Sequence, residues 1–214
     1  MVHSPEILKP AEAAVVAGVS VEAVNRAIDR KIVSAPFVQT GGRRGISLPG
    51  CALVTCYFAT AKQLTAEERT KLLHWAGQRL KGRPKVFYTE AADDWRFNDE
   101  FLVVDFRPFL EATRGRWERL AASREVVVSD PYTLRGMPVL KGTRVPVHDI
   151  AASVAAGVPA ARLRNAYPGL TSEQIELAVI YAQANPPQGR PRKAPIAGVK
   201  LVSEERVPRR LRTE

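Results

Sequence analysis

The chain has 214 residues, with 32 lysines and arginines against 22 aspartates and glutamates, for a formal charge of +10 and a pI near 10.0. That excess favours phosphate-rich or acidic partners, without choosing among DNA, RNA and an acidic protein surface. No apolar run reaches the roughly 18 residues that span a bilayer, and no secretory signal pattern opens the chain, so a cytoplasmic protein with no membrane partner is expected.

Apolar residues make up 45% of the chain, enough for packed cores, and the length suits two small domains better than one large one. Cys51 and Cys56 are too isolated for a zinc site, which needs four ligands. They read as buried thiols in a reducing compartment. No metal or cofactor is expected.

Residues 1–9 read as a lead-in. From Pro10 to Arg30 the pattern is helix, tight turn, helix. Pro10 suits a first helical position, Gly18 can take the left-handed conformation between the helices, and Ser20 can cap the second. The order Ala-x-x-x-Gly-Val-Ser-x-x-x-Val resembles the helix-turn-helix of excisionase-like and MerR-like regulators. Such a unit would present Ser20, Glu22, Asn25, Arg26, Asp29 and Arg30 to a major groove, Asn25 towards adenine and Arg26 towards guanine or phosphate. Residues 37–48 then read as a strand, a Gly41-Gly42 turn, the pair Arg43-Arg44 and a second strand. A winged helix places two guanidiniums at a minor groove or phosphate backbone in this way.

The run Cys51 to Ala61 is apolar core, and Thr65 opens an amphipathic helix through Leu80. Between Val86 and Phe106 lie two strand-like runs, Val86–Thr89 and Phe101–Phe106, joined by the loop AADDWRFNDE. Its carboxylates, Glu90, Asp93, Asp94, Asp99, Glu100 and Asp105, raise the alternative of a small metal nuclease. One loop rarely assembles such a site, so these read as solvated turn residues and no enzyme is expected. Phe109 to Ala122 is a helix with Leu110, Trp117, Leu120 and Ala121 on one side. Its Arg114, Arg116 and Arg119 form either a solvated face or a second basic patch.

From Val126 the chain shows a β-rich run and a loop punctuated by Asp130-Pro131, Gly136, Pro138 and Gly142. Three short helices follow. The first opens at Pro146 and ends at Gly157, the second runs from Pro159 to Tyr167, and the third begins at a capping box, Thr171 with Gln174. This suits a trihelical helix-turn-helix domain. The motif from Gly136 through Pro138, Lys141, Gly142, Thr143 and Arg144 to Pro146 and Val147 resembles the hallmark of the bacterial family described as domain of unknown function 433. Met137 stands where that family commonly has lysine. The resemblance implies a VapB-type antitoxin, partner of a PIN-like ribonuclease toxin. Lys141 and Arg144 either meet an anionic partner, or Arg144 and Thr143 hold the loop by bonding its carbonyls.

Beyond Asn185 proline, glycine and charge dominate and apolar residues are too sparse for a core, so residues 186–214 read as a disordered arm. Its eight basic residues against three acidic ones give +5, half of the chain's net charge. Arg190, Arg192, Lys193, Arg206, Arg209 and Arg210, with the strand candidate around Val199 and Leu201, are the expected toxin contacts. The expected fold is α+β: an N-terminal winged helix-turn-helix-like part (1–125) with a small sheet, a trihelical domain (126–185) and the arm. The expected function is an antitoxin that neutralises its toxin and represses its own operon, as a homodimer on operator DNA and a hetero-oligomer with toxin. The alternative is a stand-alone DNA-binding regulator that senses a ligand.

Overall fold

The computed structural model describes residues 6–42, 44–81, 95–131 and 134–187, leaving aside the side chain of Arg135. The expected strand Val86–Thr89, the carboxylates Glu90, Asp93 and Asp94, the wing residue Arg43 and all of the arm beyond residue 187 lie outside the described residues.

Strand β1, Ile7–Leu8, precedes helix α1, Pro10–Ala17. It falls in what the sequence offered only as a lead-in. Glu12 accepts the Lys9 N–H at 2.9 Å and so satisfies one donor at the helix start. Gly18 ends α1 in the left-handed region, φ +68°, and Ser20 caps α2, Val21–Asp29, by accepting the Ala23 N–H at 3.2 Å. Strands β2, Val38–Gln39, and β3, Gly45–Ser47, form the expected hairpin, with Val38 opposite Ile46. β1 adds on the other side of β3, antiparallel, giving the order β1-β3-β2. Gly45 is required there, because a side chain would run into the Leu8 carbonyl.

Helix α3, Leu48–Ala59, begins directly from β3, with Ser47 as its cap. It is apolar on every side and runs through the middle of the main core, as such helices must. Thr55 ties it to its neighbours, its hydroxyl 2.9 Å from the Ala17 carbonyl and 3.1 Å from the Thr113 hydroxyl. Helix α4, Ala66–Lys81, is capped by Thr65 and Glu68. Strands β4, Arg96–Asp99, and β5, Leu102–Asp105, make a two-stranded hairpin. The second strand is the expected one, but its partner comes from the stretch taken as loop. Trp95 and Phe97 explain why: both are buried, against Trp75 and Phe106, so the segment has a core-facing side that its carboxylates obscure. Helix α5, Arg107–Glu125, then crosses α1 and α3.

A second two-stranded sheet joins β6, Val127–Val128, to β7, Val139–Leu140. Helices α6, Val147–Ala155, α7, Ala160–Ala166, and α8, Ser172–Ala184, close over it. The capping box is present: Gln174 N–H to Thr171 Oγ1 at 3.1 Å, and Thr171 N–H to Gln174 Oε1 at 2.9 Å. Buried side chains fall into two clusters, a large one from Leu8 to Leu120 and a small one around Leu140, Val147 and Ile150. Helix α8 serves both. Ile175 and Ala178 pack in the small cluster, while Ile180 and Ala184 pack in the large one, against α1 and α5. Among the described residues no helix is long and apolar enough to cross a membrane.

Candidate nucleic-acid interface

α2 carries an apolar stripe, Val24, Ala27 and Ile28, that is buried against α1. Spacing of 3.6 residues per turn then leaves Glu22, Arg26, Asp29 and, at the helix end, Arg30 on the outside. Neither Arg26 nor Arg30 makes a side-chain hydrogen bond or ion pair with a described residue, so both guanidiniums can reach an incoming phosphate or base. Asn25 is half-buried. Ser20 is occupied as the helix cap, a positioning role and not a base contact. The Glu22 carboxyl is held below the usual carboxylate range by its own backbone N–H and the Ser20 hydroxyl.

The wing behaves differently from its expected role. The hairpin returns Arg44 to the flank of α2, where it donates to Asp29 Oδ1 at 2.7 Å and to the Asn25 carbonyl at 3.2 Å. Arg44 thus ties the wing to the helix. It also neutralises a carboxylate that would repel phosphate, so the exposed side of α2 carries Arg26 and Arg30 against a single unpaired carboxylate, Glu22. The arginines of α5 do not form a second exposed basic patch: all but Arg116 are paired, and Arg116 is half-buried against the Gly18 turn. Arg107 pairs with Asp105, Arg114 with Glu118, Arg119 with Glu176 at 2.6 Å, and Arg124 with Glu6 and Glu12. Sequence spacing along one helix could not reveal these partners, four of which come from other elements.

The motif loop is a tight hairpin. Leu140 N–H bonds the Val145 carbonyl at 3.1 Å, Thr143 N–H returns to the Leu140 carbonyl, and Val147 N–H reaches the Pro138 carbonyl. Gly136 and Gly142 both take positive φ, and Pro146 sits at the start of α6. The Thr143 hydroxyl donates to the Leu140 carbonyl at 2.8 Å and accepts the Val145 N–H at 3.1 Å. Of the two alternatives, then, Thr143 holds the loop. Lys141 and Arg144 instead stand exposed at its tip.

Of the carboxylates of the nuclease alternative that are described, Asp99 pairs with Lys71 at 3.2 Å and Asp105 with Arg107, and Glu100 stands exposed. Among the described residues no group of three acidic, histidine or cysteine side chains could hold a metal ion. Both cysteines are buried free thiols, as expected. Burial pushes Cys56 up to about 12 and Cys51 higher still.

A winged helix-turn-helix-like unit joined through a shared helix to a second, trihelical unit is the class that this fold defines. The profile of the family described as "Protein of unknown function (DUF433)" matches residues 127–182. Over 218 aligned residues, 99% of this chain and 98% of the relative, the sequence is 44% identical to the uncharacterized protein y4eO of Sinorhizobium fredii. The chain belongs to the family of that protein, with a DUF433 segment as its C-terminal unit. It also resembles, loosely, the crystal structure of Rv2018 from Mycobacterium tuberculosis, at 19% identity and a TM-score of 0.34 over 81% of this chain and 96% of that one.

Proposed function

We propose that this protein is a DNA-binding antitoxin. In this reading α2 enters the major groove of its own operator, with Arg26 and Arg30 on phosphates or guanine edges and Arg44 holding the wing in register. The observation that supports it is the contrast between α2 and α8. α2 is packed on one side and leaves two unpaired arginines outside, whereas α8 is packed between two cores and the side it leaves exposed, Glu173, Glu176 and Gln183, carries no cation to offer a phosphate. A dimer on an inverted repeat is the expected assembly.

The toxin half rests on the motif resemblance and on the charge of residues 186–214. One of Arg190, Arg192, Arg206, Arg209 or Arg210 would pair with the carboxylates that otherwise hold Mg²⁺ in a PIN-like ribonuclease. Two experiments test the reading. The full chain should shift DNA from upstream of its own gene, and Arg26→Ala with Arg30→Ala should abolish that shift in a folded protein. Co-expressed with the product of the neighbouring gene, the full chain should co-purify with it and block its RNA cleavage. If RNA cleavage remains fully blocked after residues 186–214 are removed, the inhibitory role of the arm is wrong.

A further inference from the structure

The turn joining α1 to α2 stands over a cleft of about 720 Å³, within the size range of small-molecule sites. Most of its wall is aliphatic, from Ala14, Val15 and Val19 on one side and Ile180 of α8 on the other. Into this lining α5 contributes Arg116. Its guanidinium lies flat on the turn: a Cβ at Gly18 would stand 2.6 Å from Arg116 Cζ. Glycine at 18 therefore serves the left-handed turn and also admits the arginine. Arg116 Nη1 is shut off from solvent and has no hydrogen-bond partner. A buried donor left unsatisfied is costly, and costlier still when it is charged, so the group points to a partner that the described residues do not supply.

The charge balance narrows that partner. Arg119 also lines the cleft, but Glu176 already meets it at 2.6 Å. One uncompensated cation remains, beside apolar walls and close to the capped N-terminus of α2 at Ser20 and Val21. We propose that this cleft binds a small organic monoanion, an apolar body carrying one carboxylate, which pairs with Arg116. A guanidinium fork matches a carboxylate in two parallel bonds, and the aliphatic walls take the body. A strongly hydrated, doubly charged phosphate finds no second unpaired cation here and a mostly aliphatic lining. This site does not depend on the protein binding DNA or a toxin.

Calorimetric titration of the full chain at neutral pH tests it, with octanoate and 2-naphthoate as linear and planar carboxylates, and 1-octanol and inorganic phosphate as comparators. At least one carboxylate should bind saturably, one per chain, and tighter than either comparator. Arg116→Gln should weaken it about tenfold or more, as loss of a charge-assisted pair does. Val21→Glu, at an exposed rim position, should weaken it too by repulsion, and it keeps the test alive if Arg116→Gln does not fold. Circular dichroism and an unchanged melting curve establish folding for each variant. The proposal is overturned if neither carboxylate binds saturably, if octanol or phosphate binds as tightly, or if folded variants bind undiminished. Any of these outcomes leaves the DNA reading standing.

Discussion

The two helical units of this protein, α1–α2 and α6–α8, are built from similar parts and put them to opposite uses. Each joins short helices through a glycine turn, Gly18 in one and Gly157 in the other, both at positive φ. Each has a helix opened by a hydroxyl cap, Ser20 or Thr171. The last helix of the first unit buries one stripe and exposes the rest. The last helix of the second unit packs Ile175 and Ala178 into one cluster, and Ala184 and the half-buried Ile180 against the other. A helix-turn-helix pattern therefore does not by itself say which helix is free to touch a partner. What decides is whether a further element of the chain already occupies the outer face.

The largest effect should come from breaking α8. Ala178 is fully buried, and Ala178→Glu places an unpaired charge there. A loss of roughly 3–5 kcal/mol is expected in urea denaturation, with both cores unfolding together. If only the α6–α8 unit is lost, the contrast drawn above is wrong. The DNA face comes next. Arg26→Ala and Arg30→Ala should each weaken operator binding by about 1–3 kcal/mol and lower the salt slope by about one, with stability unchanged within about 0.5 kcal/mol. Lys141→Ala with Arg144→Ala should leave that affinity intact in the same gel-shift series.

The thiols give a pH test of the main core. Cys56 is raised from 9.0 to about 12 in the folded chain, so the protein keeps a neutral thiol where the unfolded chain ionises. The associated stability is fully present below pH 9 and is lost as pH rises from 9 towards 12, at up to about 1.4 kcal/mol per pH unit per thiol. Denaturation midpoints measured across that range should fall accordingly, and neither cysteine should react with a thiol reagent at pH 8 until the chain unfolds. Smaller effects belong to the caps. Thr171→Ala and Ser20→Ala should each cost about 1 kcal/mol in thermal unfolding.

Much of this was legible in the sequence, in places where local chemistry decides the outcome. Gly18 with Ser20, the Gly41-Gly42 turn, and Thr171 with Gln174 each specify their own few residues, and each appears as read. What escaped depends on distant partners. The pairing of Arg44 with Asp29 spans a hairpin, and that of Arg119 with Glu176 spans two units. β4 was hidden because Asp99 and its neighbours look like a turn, although Trp95 and Phe97 at alternate positions gave the core-facing signal. A signal for α8 was also present. Ile175, Leu177, Ala178, Val179, Ile180, Ala182 and Ala184 run almost around the helix, which marks an element enclosed on more than one side.

That enclosure has a consequence for how the chain can be divided. A cut near Val126, between the two units, would strip Ile180 and Ala184 from the larger core and leave α1 and α5 with bare apolar flanks. The smaller unit would keep its own cluster but carry half of a sticky helix into solvent. The DUF433 segment is thus no passenger on a separate domain. It is the keystone of its neighbour, and gene fusions or truncations that treat it as a detachable module should yield protein that aggregates.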